Sequence, residues 1–382
     1  MPWGLIIVAG LLTLVGLLAI ADAAPEQSVW VRSYVGKQII AGGLGLLVSV
    51  FVVLIRYYRW KNWSYPMYGL GILSLLAVLA FGGTQMGARR WIPMGGFNYQ
   101  PSETMKLALV FCLARYMMHR DNLTRVHGLL GPAILTFIPM ALVLVQPDLG
   151  SSLVFIPVFL AMIFVAGADH RHLLGAIGLG MAAMPPAYYL LLRDYQRKRL
   201  IAFLDPSQLD LEEGYQLIRA KIAIGSGGVF GRLWNENAID YSRYVPIRHN
   251  DFICTVIGEE VGFVGVTVML LLFSLLLWYC MRVALRTREP FGRLLVVGIT
   301  TYLGVQIAVN LGMNIGLAPI TGITLPFVSY GGSSLITSFV SLAMVVNVAI
   351  NQTPALTGRE FGDLDRDGVT VGLDRDMIDR RR

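Results

Sequence analysis

The sequence predicts an all-α polytopic integral membrane protein. Three observations carry that prediction. Of 382 residues, 55% are hydrophobic and only 14% charged, where a soluble domain carries roughly 25% charged residues. Mean hydropathy is +0.62. The apolar residues gather into ten runs, each near the ~20 residues a membrane helix needs. One soluble chain of this length has no core large enough to hide so much apolar surface, so the bilayer is its natural solvent. The net charge of +7 reads as the Lys/Arg bias of cytoplasmic loops rather than as nucleic-acid binding. Cys112, Cys254 and Cys280 lie in or beside apolar runs. Their odd number implies no disulfide framework.

The first run, 3–21, has no basic leader. An A-x-A pattern at Ala19–Ala21 would suit signal cleavage, but the run is long enough to span and nine more follow, so it reads as a retained first helix. The others are 38–56, 67–85, 102–119, 129–146, 151–168, 172–192, 252–281, 292–316 and 332–351. The fifth and sixth are joined by the tight turn Gln146-Pro147-Asp148, which would also suit a re-entrant pair. Alternate loops hold Arg56, Arg59 and Lys61; Arg115, Arg120 and Arg125; Arg171; and Arg282, Arg286, Arg288 and Arg293. Placing these in the cytoplasm puts both termini there too. The loops around 22–37, 86–101, 146–150, 193–251 and 317–331 then face outward, with Arg89 and Arg90 against the trend.

Residues 1–352 thus read as one transmembrane domain whose large extracytoplasmic loop, 193–251, lies between the seventh and eighth helices. A connection that long is usually functional or disordered. Residues 353–382 read as a charged, disordered cytoplasmic tail. Its DLDRDGVTVGLD run resembles a calcium loop, but no helical pattern flanks it.

Carboxylates at a membrane boundary need an explanation, because an unpaired charge in a bilayer costs several kcal/mol. In GARRWIPMGGFNYQPSETMK, Ser102 is a candidate N-cap. Glu103 and Lys106, three apart, form either a local ion pair or part of a site facing an anion, together with Arg89 and Arg90. Trp91 suits an interfacial anchor. Asp148, in QPDLGSS, reads as a cap. IGSGGVFG follows no strand, so its glycines read as turn-formers rather than a phosphate loop. Asn310 and Asn314 share a helix face and can bond across helices. The Gly331-Gly332-Ser333 helix start offers backbone N–H groups to an anion, or a small-residue packing face. Asp251 directly precedes an apolar helix and, taken alone, reads as an N-cap. Glu259 and Glu260 lie two turns deeper, and at least one must face the protein interior.

Six motifs in order resemble those of the SEDS family (shape, elongation, division and sporulation). They are GARRWIPMGGFNYQPSETMK, QPDLGSSLVF, RLIAFLDP, GYQLIRAKIAIGSGGVFG, PIRHNDFICTVIGEEVGFVG and NIGLAPITGITLPFVSYGGSSL. The resemblance implies a peptidoglycan glycosyltransferase that polymerises lipid II at the outer face of the cytoplasmic membrane. It implies a class B penicillin-binding protein as transpeptidase partner, within the cell-elongation machinery. QPDLGSS and the single outer loop lean toward the RodA-like elongation branch; an FtsW-like division role is the alternative. The family's essential aspartate falls on Asp251, as general base. Here Ile247 and Asn250 stand where the family usually has Glu and Thr. Candidate substrate-binding residues are Arg89, Arg90, Trp91, Glu103, Lys106, Asp148, Lys221, His249, Glu259, Gly331, Gly332 and Ser333. The leaving pyrophosphate calls for Arg89, Arg90, Lys106 or the N–H groups at 331–333. A divalent cation, Mg or Mn, is the family-like addition, with Glu103 or Asp148 to help hold it. Two other classes compete: a flippase for lipid-linked sugar, which needs a polar path through both leaflets, and a scaffold, which would not need Asp251.

Overall fold

The computed structural model describes residues 2–23, 33–85, 88–94, 97–119, 125–190, 192, 194–205, 212–233, 241, 242, 245 and 249–351. Pro246, Ile247, Arg248 and the tail lie outside them, as does the side chain of Arg89. Each of the ten expected spans is represented by helix. Seven helices are long and apolar enough to cross a membrane: α1 (Trp3–Ala23), α2 (Tyr34–Leu54), α3 (Tyr57–Phe81), α5 (Val126–Val145), α11 (Gly262–Arg286), α12 (Pro290–Ile315) and α13 (Gly332–Ile350). The other three are shorter or more polar. Helix α4 (Pro101–Met117) has 17 residues and carries Glu103, Lys106 and Arg115. Helix α6 (Leu149–Val165) has 17 apolar residues, and α7 (His170–Leu190) opens on His170-Arg171-His172.

The bundle is layered. Helix α4 is buried along nearly its whole length, and α12 and α13 are mostly buried. Their neighbours α1, α2, α3 and α11 turn leucines outward, among them Leu47, Leu54, Leu73 and Leu271. On a soluble protein such a surface would be an aggregation hazard; here it meets lipid tails. Helix ends inside the bundle need partners for their free backbone groups. Asn347 of α13 supplies several. Its Oδ1 accepts from the Tyr57 N–H at 3.0 Å, and its Nδ2 donates to the carbonyls of Val52 (2.7 Å) and Ile55 (2.6 Å). One side chain thus closes α2 and opens α3.

Four sequence expectations need correction. Residues 252–281 are not one helix: α10 (Ile253–Glu260) and α11 are separate, broken at Val261 and Gly262 (φ +71°). The outer loop holds two helices, α8 (Asp194–Leu204) and α9 (Glu212–Ser226). The 86–101 loop carries a small antiparallel sheet, β1 (Gly83–Gln85), β2 (Ala88–Met94) and β3 (Phe97–Tyr99), in that order. Ser102 is not an N-cap; α4 starts at Pro101, a favoured first position because its missing N–H is an orphan there anyway.

The glycines of IGSGGVFG form a seam. Phe263 and Val264 donate to the carbonyls of Gly228 (2.9 Å) and Val229 (3.1 Å). Arg232 and Leu233 donate to Glu259 (2.9 Å) and Glu260 (3.1 Å). A side chain at Gly227, Gly231 or Gly262 would strike the opposing backbone. Chain segments this close need glycine, and the seam ties the outer loop to the α10–α11 break.

Candidate active site

Asp251 sits where the end of the outer loop, the turn before α6, strand β2, α8 and the segment after α12 converge. Its backbone is fixed from inside the bundle. Asn310 and Asn314, one turn apart on α12, both donate to the Asp251 carbonyl, at 3.0 and 3.1 Å. Asn310 also reaches the Ile323 carbonyl at 2.7 Å, and Thr255 donates to Asn314 Oδ1 at 2.9 Å. The asparagine pair therefore works across elements, as its spacing predicts.

The side chain of Asp251 is not a cap. The N-cap of α10 is Phe252, and no side chain caps it. Among the described residues the Asp251 carboxylate accepts no hydrogen bond. It is half-buried and lies against Gly322. Gly322 has φ +74°, and a Cβ there would stand 3.4 Å from Asp251 Oδ2. Burial pushes the carboxyl up to about 6. The charges of Arg199 and Arg90 pull it down, and Asp148 adds a smaller push upward.

Asp148 does cap α6: its Oδ1 accepts from the Ser151 N–H at 3.2 Å. The same carboxylate faces Arg90 Nη1 at 3.8 Å, and its Oδ2 accepts from Gln100 Nε2 at 3.3 Å and from the Ser102 hydroxyl at 3.5 Å. Arg90 also donates to the Pro147 carbonyl, and its Nε is buried without a partner among the described residues. Arg199 of α8 donates to the Ile320 carbonyl at 3.2 Å. A cleft runs between Arg90, Gln196, Arg199 and Thr321. Arg199 is the residue that pattern reasoning passed over. It opens the RLIAFLDP motif, and nothing in local spacing says that α8 brings it to a cleft shared with Arg90.

His249 lies in an aromatic cluster, its ring 4.4 Å from Tyr34 and 5.6 Å from Tyr330 between centroids. Its carbonyl accepts from the Tyr330 N–H at 3.0 Å, so the Asp251 segment and the start of α13 are joined. Trp91 is half-buried on β2, opposite Gly83.

Other candidates are engaged elsewhere. Lys106 donates to Glu103 at 2.8 Å, and both are buried inside the bundle, which is the ion-pair reading and not a free cation for a pyrophosphate. The Gly331 N–H, expected to meet an anion, donates to Gln38 Oε1 at 3.2 Å. The Ser333 hydroxyl accepts from the Gln100 N–H and donates to the Asn98 carbonyl, each at 3.0 Å; with Gly332 opening α13, this end of the helix docks β3 and α4. Glu259 is fully buried, and its oxygens accept from the N–H groups of Tyr241 (2.6 Å) and Ser242 (2.7 Å). Glu260 pairs with Arg232. Lys221 lies over Gly316, the left-handed C-cap of α12, where a cation suits the negative end of the helix dipole.

Among the described residues no three His, Cys, Asp or Glu side chains converge. Glu103 and Asp148, the carboxylates expected to help hold a cation, are already engaged. Among the described residues, the donors do not build a protein-held Mg or Mn site.

This geometry belongs to a known family. The FtsW/RodA/SpoVE model, described as cell cycle protein, matches residues 2–353. Stage V sporulation protein E of Bacillus subtilis (strain 168) is 35% identical over 90% of this chain and 96% of its own length. A probable peptidoglycan glycosyltransferase FtsW of Geobacter sp. (strain M18) is 39% identical over 81% of this chain and 84% of its own. A chain from a structure titled for coordination of polymerization and crosslinking by a peptidoglycan synthase complex superposes with a TM-score of 0.81 at 35% identity, over 92% of this chain and 98% of that one. The rod shape determining protein RodA of Thermus thermophilus gives 0.70 at 33% identity, with the same coverage. The chain belongs to the FtsW/RodA/SpoVE, or SEDS, family of peptidoglycan glycosyltransferases.

Proposed function

We propose that the chain polymerises lipid II at the outer face of the cytoplasmic membrane, with Asp251 as general base. The observation that carries this is one carboxylate, half-buried, without hydrogen bonds among the described residues, raised to about 6 and flanked by two arginines. Joining the 4-hydroxyl of an acceptor GlcNAc to C1 of a donor MurNAc expels undecaprenyl pyrophosphate. An α-linked diphosphate giving a β-linked glycan is an inversion, which needs one base and no protein nucleophile. A carboxylate near 6 is ionised at neutral pH yet more basic than an exposed aspartate, which suits it to take the hydroxyl proton as the C1–O bond breaks. Arg90 and Arg199 line the adjoining cleft and meet the charge that develops on the pyrophosphate.

A class B penicillin-binding protein is the partner this reading requires, to crosslink the new glycan. The structural relative from a synthase complex supports it. We assign the chain to cell elongation on QPDLGSS and the single outer loop; division is the alternative role for the same chemistry. The Lys/Arg bias of alternate loops supports an orientation with both termini in the cytoplasm and Asp251 outside.

The test is lipid II polymerisation by the purified protein with its cognate partner, the transpeptidase serine blocked. Wild type is expected to make glycan, and Asp251→Asn to lose at least about 100-fold in rate while remaining folded. Equal activity in both would move the base elsewhere. Inactivity of both, with lipid II moved between leaflets, would establish a transporter.

A further inference from the structure

A groove of about 480 Å³ opens at the far end of the bundle from Asp251. Its walls are the first turn of α1 at Trp3, the last turns of α11 at Tyr279, Arg282 and Arg286, and the end of α13 at Ile350. Asp251 lies near the start of α11 and the start of α13, so the 25 residues of α11 put the groove roughly 35 Å away, one bilayer core.

Four features define what fits there. Arg282 and Arg286 are one turn apart on one face, both exposed, and among the described residues neither makes an ion pair. The Arg282 guanidinium stacks 4.0 Å from the Trp278 ring centre, which holds it at the groove instead of leaving it free in solvent. The start of α1 adds the positive end of a helix dipole. The rim is greasy: Trp3 is 61% and Ile350 40% exposed. A cationic floor with an apolar rim at a membrane boundary matches an anionic amphiphile.

We propose that this groove holds one anionic phospholipid, its phosphate between Arg282 and Arg286 and its acyl chains along Trp3 and Ile350. The assignment to the cytoplasmic leaflet rests on the orientation given above; the binding itself does not.

Native mass spectrometry of the full chain, released from micelles of equimolar phosphatidylglycerol and phosphatidylcholine, counts retained lipid independently of polymerisation. One phosphatidylglycerol is expected to be kept in preference. Arg282→Gln/Arg286→Gln should lose that preference roughly tenfold, and Arg282→Lys/Arg286→Lys should keep most of it. Equal retention of both lipids by wild type, or an unchanged preference in the glutamine variant, overturns the site. Displacement of the lipid by inorganic phosphate alone would make the ligand a free anion. Retention seen only after removal of residues 352–382 would make the acidic run Glu360–Asp379 the occupant. Either result also overturns the lipid assignment.

Discussion

Asp251 and Glu259 lie eight residues apart in one stretch, and the bundle treats them in opposite ways. Glu259 is fully buried and accepts one backbone N–H on each oxygen. Asp251 is half-buried and its carboxylate accepts none among the described residues. Charge-assisted hydrogen bonds are short and strong, and they hold a carboxylate in place. Burial without them leaves the base strong and the fold slightly worse off. The molecule keeps one carboxylate uncomfortable and uses the other as a staple for the outer loop.

A third carboxylate gives the largest expected effect. Lys106→Ala strands Glu103 inside the bundle, and should destabilise by roughly 3–5 kcal/mol in chemical unfolding. Glu103→Leu/Lys106→Met should recover most of that. If the double variant is as unstable as the single, the pair is more than an internal ion pair. Next comes the contrast itself. Glu259→Gln should cost about 1–3 kcal/mol of stability and keep its rate per folded molecule. Asp251→Asn should do the reverse, losing rate while raising the melting temperature. The sign follows from its raised pKa: ionising Asp251 at neutral pH costs the folded state, a cost that grows from pH 4 to the folded value of about 6. A stabilised Glu259→Gln would dissolve the comparison.

The arginines sharpen it. Polymerisation rate should rise with pH through about 6, as Asp251 loses its proton. Arg199→Ala removes a charge that lowers that value, so the rising limb should move to higher pH, with about a tenfold lower plateau. A lower plateau with an unmoved limb would mean that Arg199 acts only on the substrate. The smallest effect is Gly322→Ala. Its left-handed φ of +74° costs an alanine about 1 kcal/mol, and the new methyl touches Asp251 Oδ2, so a rate loss of a few-fold beyond the stability loss is expected.

Much of this architecture is legible in the sequence because apolar length is a one-dimensional signal. The seven helices long and apolar enough to cross a membrane could be read off hydropathy alone, and the asparagine pair off its four-residue spacing. The family motifs named Asp251. The misses share a cause: they depend on where the chain returns. No local pattern says that Asn347 serves the ends of α2 and α3, that Gln38 takes the Gly331 N–H, or that Arg199 shares a cleft with Arg90. Capping propensity named Asp251 and Ser102 as caps and was wrong for both: the Ser102 hydroxyl meets Gln100 and Asp148, and Asp251 lies one residue before the N-cap Phe252. It was right for Asp148, which caps α6 while also meeting Arg90. The α10–α11 break was missed because Val261 and Gly262 lie inside the single expected span 252–281, although Glu259 and Glu260 directly precede them.

The glycine seam between residues 227–233 and 258–264 has a consequence for descent. At most packed positions a larger residue can be accommodated by a smaller one opposite. Here the opposing atoms at Gly227, Gly231 and Gly262 are main chain, and main chain cannot be trimmed. No second-site change restores the fit, so these positions are closed to stepwise substitution. The line by which the outer loop is attached is locked.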